Sequence, residues 1–275
     1  MSDLRLRARS VTEIVDAAFQ LYKRDALEYV LVTAVAYAPV VVAQLFLLRG
    51  ITAIGSPRFA LTGSISLIVG LVNIVVYALM SAVLSRFASD IYLGKPTALR
   101  EVIGSVVRLV PALIAATFGL GLIFVVGFLP VIIGVAAGFP LLIGSGVPFA
   151  FVWAFYIFAR YFAVFQVIVL ERPDIGRAFG RSSTLSRGRK GHILLTLLLV
   201  LLIFVVLSIA VTMVSQISGS LAASLVLTTL YTVVAYPLIG ITQVILYYDT
   251  RIRAEGFDIE MMTGALGSGA PSAVS

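Results

Sequence analysis

The sequence contains no cysteine, a single histidine, a single tryptophan and only 12% charged residues over 275 positions. The missing cysteine excludes disulfides, thiolate metal sites and cysteine nucleophiles together, and one histidine is too few for a histidine-based metal centre. Soluble domains carry about 25% charged residues, so a chain this poor in charge cannot clothe a soluble globule. What fills the gap is apolar: 60% of the residues are hydrophobic and the mean hydropathy is +1.09.

Four uncharged runs dominate, Tyr29 to Leu48, Phe59 to Ser85, Leu109 to Ala159 and Ile193 to Tyr248, of 20, 27, 51 and 56 residues. A helix needs about 20 residues to cross roughly 30 Å of hydrocarbon, so each long run must fold back once. Gly138, Pro140, Gly144, Gly146 and Pro148 mark the turn in the first, and Ser215, Ser218, Gly219 and Ser220 mark it in the second. The expected fold is therefore an all-α integral membrane protein with six transmembrane helices over 29–48, 65–84, 112–136, 148–170, 194–216 and 222–246. The first run follows a 28-residue segment carrying both signs of charge, which favours a retained helix over a cleaved signal peptide.

The twenty Lys and Arg residues are distributed by topology. Five precede the first span, four lie between spans two and three, six between four and five, and two after six; the opposite loops hold only Arg49 and Arg58. Every Asp and Glu shares the basic side. The positive-inside bias then predicts both termini in the cytoplasm, with Trp153 near the outer boundary and Tyr247 and Tyr248 near the inner one. A pI near 9.9 is thereby explained without nucleic acid.

The connecting segments have helical periodicity of their own. Ser10-Val11-Thr12-Glu13 is a capping box, and the apolar residues Val11, Ile14, Val15, Ala18 and Tyr22 recur at three and four, predicting an amphipathic helix within residues 1–28 that lies on the inner leaflet. Thr97 to Leu109 follows Lys95-Pro96, and Asp174 to Leu185 follows Arg172-Pro173; both read as short amphipathic helices leading into a pair of spans. Ala18-Phe19, Ala98-Leu99 and Ala178-Phe179 lie 80 residues apart each time, as three repeats of a surface helix plus a helical hairpin would place them. Beyond the 29–248 membrane domain, a helical extension is expected over 249–263 and a disordered Gly/Ala/Ser-rich tail over 264–275.

Polar residues are few enough to name. Arg160 lies eleven residues before Glu171, about 16 Å along a continuous helix, which would put a charge mid-membrane at a cost of about 2.5–3.5 kcal/mol. Its intramembrane partners would be Asn73, Gln166 or Gln243, the Tyr156, Tyr161 and Tyr231 hydroxyls, or carbonyls freed near Pro111, Pro130 or Pro237. Either the arginine ties helices together or it contacts an anion or lipid headgroup. Between spans four and five, Arg172, Arg177, Arg181, Arg187, Arg189 and Lys190 fall within nineteen residues and form a candidate surface for lipid headgroups or a partner. Ser182, Ser183, Thr184 and Ser186 among them are loop filler or a phosphorylation site. After span six, Asp249 with Arg253 and Arg251 with Glu255 form i,i+4 pairs ahead of Gly256 and Asp258, a helix end able to dock against the arginine loop. His192 stands alone, and no HExxH, GxSxG or P-loop is present, so neither a catalytic residue, a metal nor a cofactor is expected.

The segments Val169-Leu170-Glu171-Arg172-Pro173, Ala178 to Gly188 and Tyr247 to Glu260 resemble the membrane-domain family named after glycerophosphoryl diester phosphodiesterases. Some members of that family carry a soluble phosphodiesterase barrel; others are free-standing, and this chain has neither the length nor the histidines for the barrel. The resemblance implies a bacterial plasma-membrane module whose role is separate from the enzyme. The expected function is thus non-enzymatic, presenting a basic cytoplasmic surface to anionic lipid or a partner protein; the alternative is a transporter or lipid permease with a polar path around Arg160.

Overall fold

The computed structural model describes residues 7–51, 58–95 and 99–256. These residues are helical throughout, with no strand among them: α1 (Val11–Arg24), α2 (Ala26–Ile51), α3 (Arg58–Tyr92), α4 (Leu99–Val107), α5 (Val110–Ala136), α6 (Pro140–Arg160), α7 (Val164–Leu170), α8 (Ile175–Leu185), α9 (Lys190–Ser218) and α10 (Leu221–Glu255). Six segments are long and apolar enough to cross a membrane: Ala26–Leu45, Gly70–Tyr92, Val110–Ala136, Pro140–Leu170, Lys190–Ser218 and Ala222–Glu255. Large apolar side chains stand exposed along them, among them Leu122, Val126, Leu202, Val206 and Ile217, as a hydrocarbon-facing surface requires. The chain is a polytopic all-α membrane protein.

Its order is a short amphipathic helix followed by a hairpin of long ones, three times over: α1 with α2–α3, α4 with α5–α6–α7, and α8 with α9–α10. Each short helix packs on the last helix of the preceding hairpin, α4 on α3 and α8 on α7, and α1 closes the ring on α10. The last helices α3, α7 and α10 meet one another, while α2, α5 and α9 lie outside them. Most buried side chains, including Ile14, Leu21, Tyr29, Phe87, Ile168 and Tyr247, gather in the charged half of the bundle. Ala18 and Ala178, two of the three repeated alanines, are both fully buried there; Ala98 lies outside the described residues.

Several expectations need correction. The capping box at the start of α1 forms, with the Ser10 hydroxyl accepting from the Glu13 amide at 3.4 Å and the Glu13 carboxylate from the Ser10 amide at 2.7 Å. The apolar face behind it, however, is covered by α10 and α9 rather than by the leaflet. The turn expected across 138–148 is confined to Ala137–Phe139, with Gly138 at φ 63° and Pro140 opening α6. Gly144, Gly146 and Pro148 lie inside α6, and Gly146 serves helix contact there: a Cβ on it would stand 3.0 Å from the Val131 amide, and one on Gly134 of α5 2.9 Å from that of Ile143. Span four is not one helix over 148–170; it starts at Pro140 and breaks at Tyr161–Ala163 before α7. The helix α3 overruns its expected end, reaching Tyr92, whereas α10 continues past its expected span to Glu255 and stops at Gly256, φ 65°, as its i,i+4 pairs predict. The remainder of the expected 249–263 extension and the 264–275 tail lie outside the described residues.

Candidate functional site at the charged end of the bundle

Three polar layers stack where α3, α7 and α10 meet. The deepest is neutral. Gln166, fully buried on α7, donates from Nε2 to the Ser85 hydroxyl of α3 at 3.3 Å and to Gln243 Oε1 of α10 at 3.0 Å, so each hairpin's last helix contributes one group. Gln166 Oε1 is buried with no hydrogen-bond partner. Asn73 sits half-buried on α3, twelve residues or about 18 Å before Ser85, outside this cluster. The next layer holds Ser89 and Tyr248, whose hydroxyls are 2.7 Å apart. Tyr247 and Tyr248, next to the ionic layer, are buried core residues, and each hydroxyl finds a protein partner: Tyr247 donates to Glu171 Oε1 at 2.7 Å.

The outermost layer is ionic. Asp249, only 2% exposed, accepts from the Arg9 amide at 2.7 Å and from Arg253 Nε at 2.8 Å, and its Oδ2 lies 3.2 Å from His192 Nε2. Arg253 donates in turn to the Arg9 carbonyl at 2.6 Å, so the end of α10 clamps the chain just before α1. Arg189 donates to the Arg253 carbonyl at 2.6 Å. Alongside, Arg181 on α8 donates from Nε to both Glu171 oxygens, at 3.2 and 3.0 Å, and from Nη1 to Glu255, which also accepts from Arg251 at 3.1 Å. These two carboxylates, Glu255 foremost, hold the Arg181 guanidinium above its ordinary pKa.

The six cations between spans four and five therefore divide. Arg181 and Arg189 are spent inside the fold, whereas Arg172, Arg177 and Arg187 are exposed. Arg177 reaches Asp174 only at 3.6 Å with both side chains 82% exposed, and Arg172 follows the Glu171 cap of α7 at φ 54°. Lys190 lies with its Nζ 4.7 Å from the centre of the Tyr156 ring. Ser182 and Ser186 are fully buried, which removes them as phosphate acceptors; the Ser182 hydroxyl caps the break after α6, accepting from the Ala163 amide and donating to the Arg160 carbonyl.

Arg160 is placed by that break. It ends α6 within reach of Lys190 and α8, rather than halfway along an unbroken helix, and its Nη1 donates to the Tyr156 hydroxyl at 2.6 Å. It contacts neither Asn73, Gln166 nor Gln243. Near Pro237, whose missing N–H frees the Val233 carbonyl, Tyr22 donates to the neighbouring Val234 carbonyl at 2.9 Å. Tyr231 donates to Phe204 O at 2.6 Å. Trp153 is half-buried against α5, with its indole N–H on the Ile123 carbonyl at 2.8 Å, so its partner is protein and not the membrane interface. Asp258 lies outside the described residues.

Arg9 and His192 are the members of this site that periodicity could not find, since 240 and 57 residues separate them from Asp249. Among the described residues no three His, Asp or Glu side chains gather as a metal would need. Two apolar grooves, of about 150 and 180 Å³, run between α1 and α9–α10 and between α4 and α2–α3, and a polar hollow of about 480 Å³ lies between Glu28 and Lys95. No family model, no curated protein and no solved structure matches the chain.

Proposed function

We propose that the protein is a non-catalytic module of the bacterial plasma membrane, with both termini cytoplasmic, that engages anionic lipid through a basic surface around α8. The observation that carries this reading is the exposure of Arg177 on α8, whose apolar face is anchored in the bundle, and of Arg172 and Arg187 in the segments that flank it. Each such charge at an anionic leaflet contributes about 1 kcal/mol, screened by salt. The resemblance to the free-standing phosphodiesterase membrane domains supports the bacterial setting and a role apart from hydrolysis. In vesicles of mixed zwitterionic and anionic phospholipid, the protein is expected to enrich anionic spin-labelled lipid in its boundary shell, and the combined Arg172→Gln, Arg177→Gln and Arg187→Gln variant to lose most of that enrichment. Equal enrichment in the variant would sink the proposal, and a stoichiometric protein co-purifying through these arginines would replace lipid by a partner protein.

A transporter or lipid permease is the second reading, and the open acceptor on buried Gln166 is what favours it. Its polar path would run through Ser85, Gln166 and Gln243 rather than Arg160. A reconstituted flux abolished by Gln166→Leu would move the assignment there. Catalysis has less support: His192 and Asp249 form an imidazole–carboxylate pair, but among the described residues no hydroxyl bonds the imidazole as a nucleophile would.

A further inference from the structure

Two cations converge on one ring at the α6–α9 junction. Arg160 Cζ lies 5.8 Å from the centre of Tyr156 and 5.5 Å from that of Tyr161, and Lys190 Nζ lies 4.7 Å from the centre of the same Tyr156 ring. Elsewhere at this end several arginines are matched by carboxylates, Arg181 by Glu171 and Glu255, Arg253 by Asp249, Arg86 by Asp90, and Arg189 is matched by the Arg253 carbonyl. Here, among the described residues, neither cation has a carboxylate. Two positive charges gathered on one ring without a carboxylate leave a local positive field that an anion would neutralise. The guanidinium is also incompletely satisfied, since Arg160 Nε is buried without a hydrogen-bond partner.

The backbone adds to the same field. Lys190 opens α9, whose N-cap Arg189 makes no side-chain capping bond, and the amides of Lys190, Gly191 and His192 make no backbone hydrogen bond among the described residues. A helix start with open amides favours an anion. The Ser182 hydroxyl fixes the Arg160 backbone through its carbonyl, and the Tyr156 hydroxyl holds its guanidinium at 2.6 Å. Below it, Phe155, Phe158 and Leu195 are exposed and apolar, as acyl chains beneath a headgroup would need.

We infer that Arg160, Lys190, Tyr156 and the start of α9 form a binding site for one phosphate group, carried by a phospholipid or free in solution. This deepens the lipid reading above and depends on it only for the source of the phosphate. A single ordered ligand distinguishes this site from the diffuse attraction of Arg172, Arg177 and Arg187.

The test is native mass spectrometry of the full-length protein after stepwise delipidation, with titration of dioleoyl phosphatidylglycerol and, separately, of inorganic phosphate. The wild type is expected to retain one phosphate-bearing ligand with saturable occupancy. Arg160→Gln and Lys190→Gln should each weaken it about tenfold, as loss of one charge-assisted contact implies. The triple arginine variant above should leave it unchanged. Lys190→Gln guards against a folding defect at Arg160, because its thermal midpoint in detergent is expected to match the wild type. Saturation by phosphatidylglycerol alone assigns the site to lipid, and saturation by inorganic phosphate to a soluble phosphate; both uphold it. Undiminished retention in both single variants overturns it, whatever the triple variant does.

Discussion

Gly127 sets the spacing of α5 and α6. A Cβ built there would stand 2.0 Å from Trp153 Cδ1 and 2.9 Å from its Cβ, so the indole occupies the volume a side chain on α5 would need. Because the clash reaches Cβ, a rotation of the ring alone cannot relieve it. Gly127→Ala must push α6 away from α5 and break the hydrogen bond from the indole to the Ile123 carbonyl. Overpacking of this kind costs about 1–3 kcal/mol. The expected outcome is a lower thermal midpoint in detergent with a shifted tryptophan emission, read without interference because Trp153 is the only tryptophan. An unchanged emission maximum and midpoint would show that the pair tolerates separation. Asp249 illustrates the opposite kind of residue, one whose weight comes from what it collects. Read alone it is the first half of an i,i+4 pair, yet it binds the chain before α1, the start of α9 and its own helix at once.

Among the elements, α1 shows why some of this was legible and some was not. Its start is a local matter, written in four residues, and so was its amphipathic stripe; what covers the stripe is a tertiary matter, and composition cannot tell α10 from a lipid leaflet because both are apolar. The six long helices were legible for the same local reason, since uncharged runs of this length have few other fates. The break at Tyr161–Ala163 was not, because neither proline nor glycine occurs there and the capping hydroxyl of Ser182 comes from a different helix. Gly146 within α6 reads as a turn signal in the sequence, but its small size serves packing against Val131. The cap of α1 carries a pH dependence of definite sign. Hydrogen bonds from the Ser10 amide, then Arg7 and the Ser10 side chain, hold the Glu13 carboxyl down from 4.5 to about 2. A carboxyl lowered on folding stabilises above its unfolded pKa and loses that effect as pH falls through the folded one. Glu13→Gln should therefore melt lower than wild type at neutral pH, with the gap closing between pH 4.5 and about 2. A gap that stays constant across this window would mean the capping carboxylate does not stabilise α1 as an anion.

At the scale of the whole molecule, the three units close a ring in which each short helix rests on the hairpin before it, and the ring is sealed where Asp249 and Arg253 hold Arg9. This arrangement puts all three short helices, both ends of the described chain and the three polar layers at one end of the bundle, with the other end left to the turns at Gly138 and Gly219. The ring and the charge distribution therefore make the same demand on orientation: if the basic end faces the cytoplasm, no short helix crosses the membrane and only Arg49 and Arg58, with the uncharged turns, are translocated. The absence of native cysteine makes that directly measurable with single-cysteine variants. Arg187→Cys, beside Gly188 at φ 73°, is exposed at the basic end; Gly55→Cys falls in the first opposite connection. In intact cells a membrane-impermeant maleimide is expected to label position 55 and to reach position 187 only after permeabilisation. Labelling of 187 from outside with 55 protected would invert the orientation, place the arginines around α8 away from the anionic leaflet, and remove the physical basis of the lipid-binding surface.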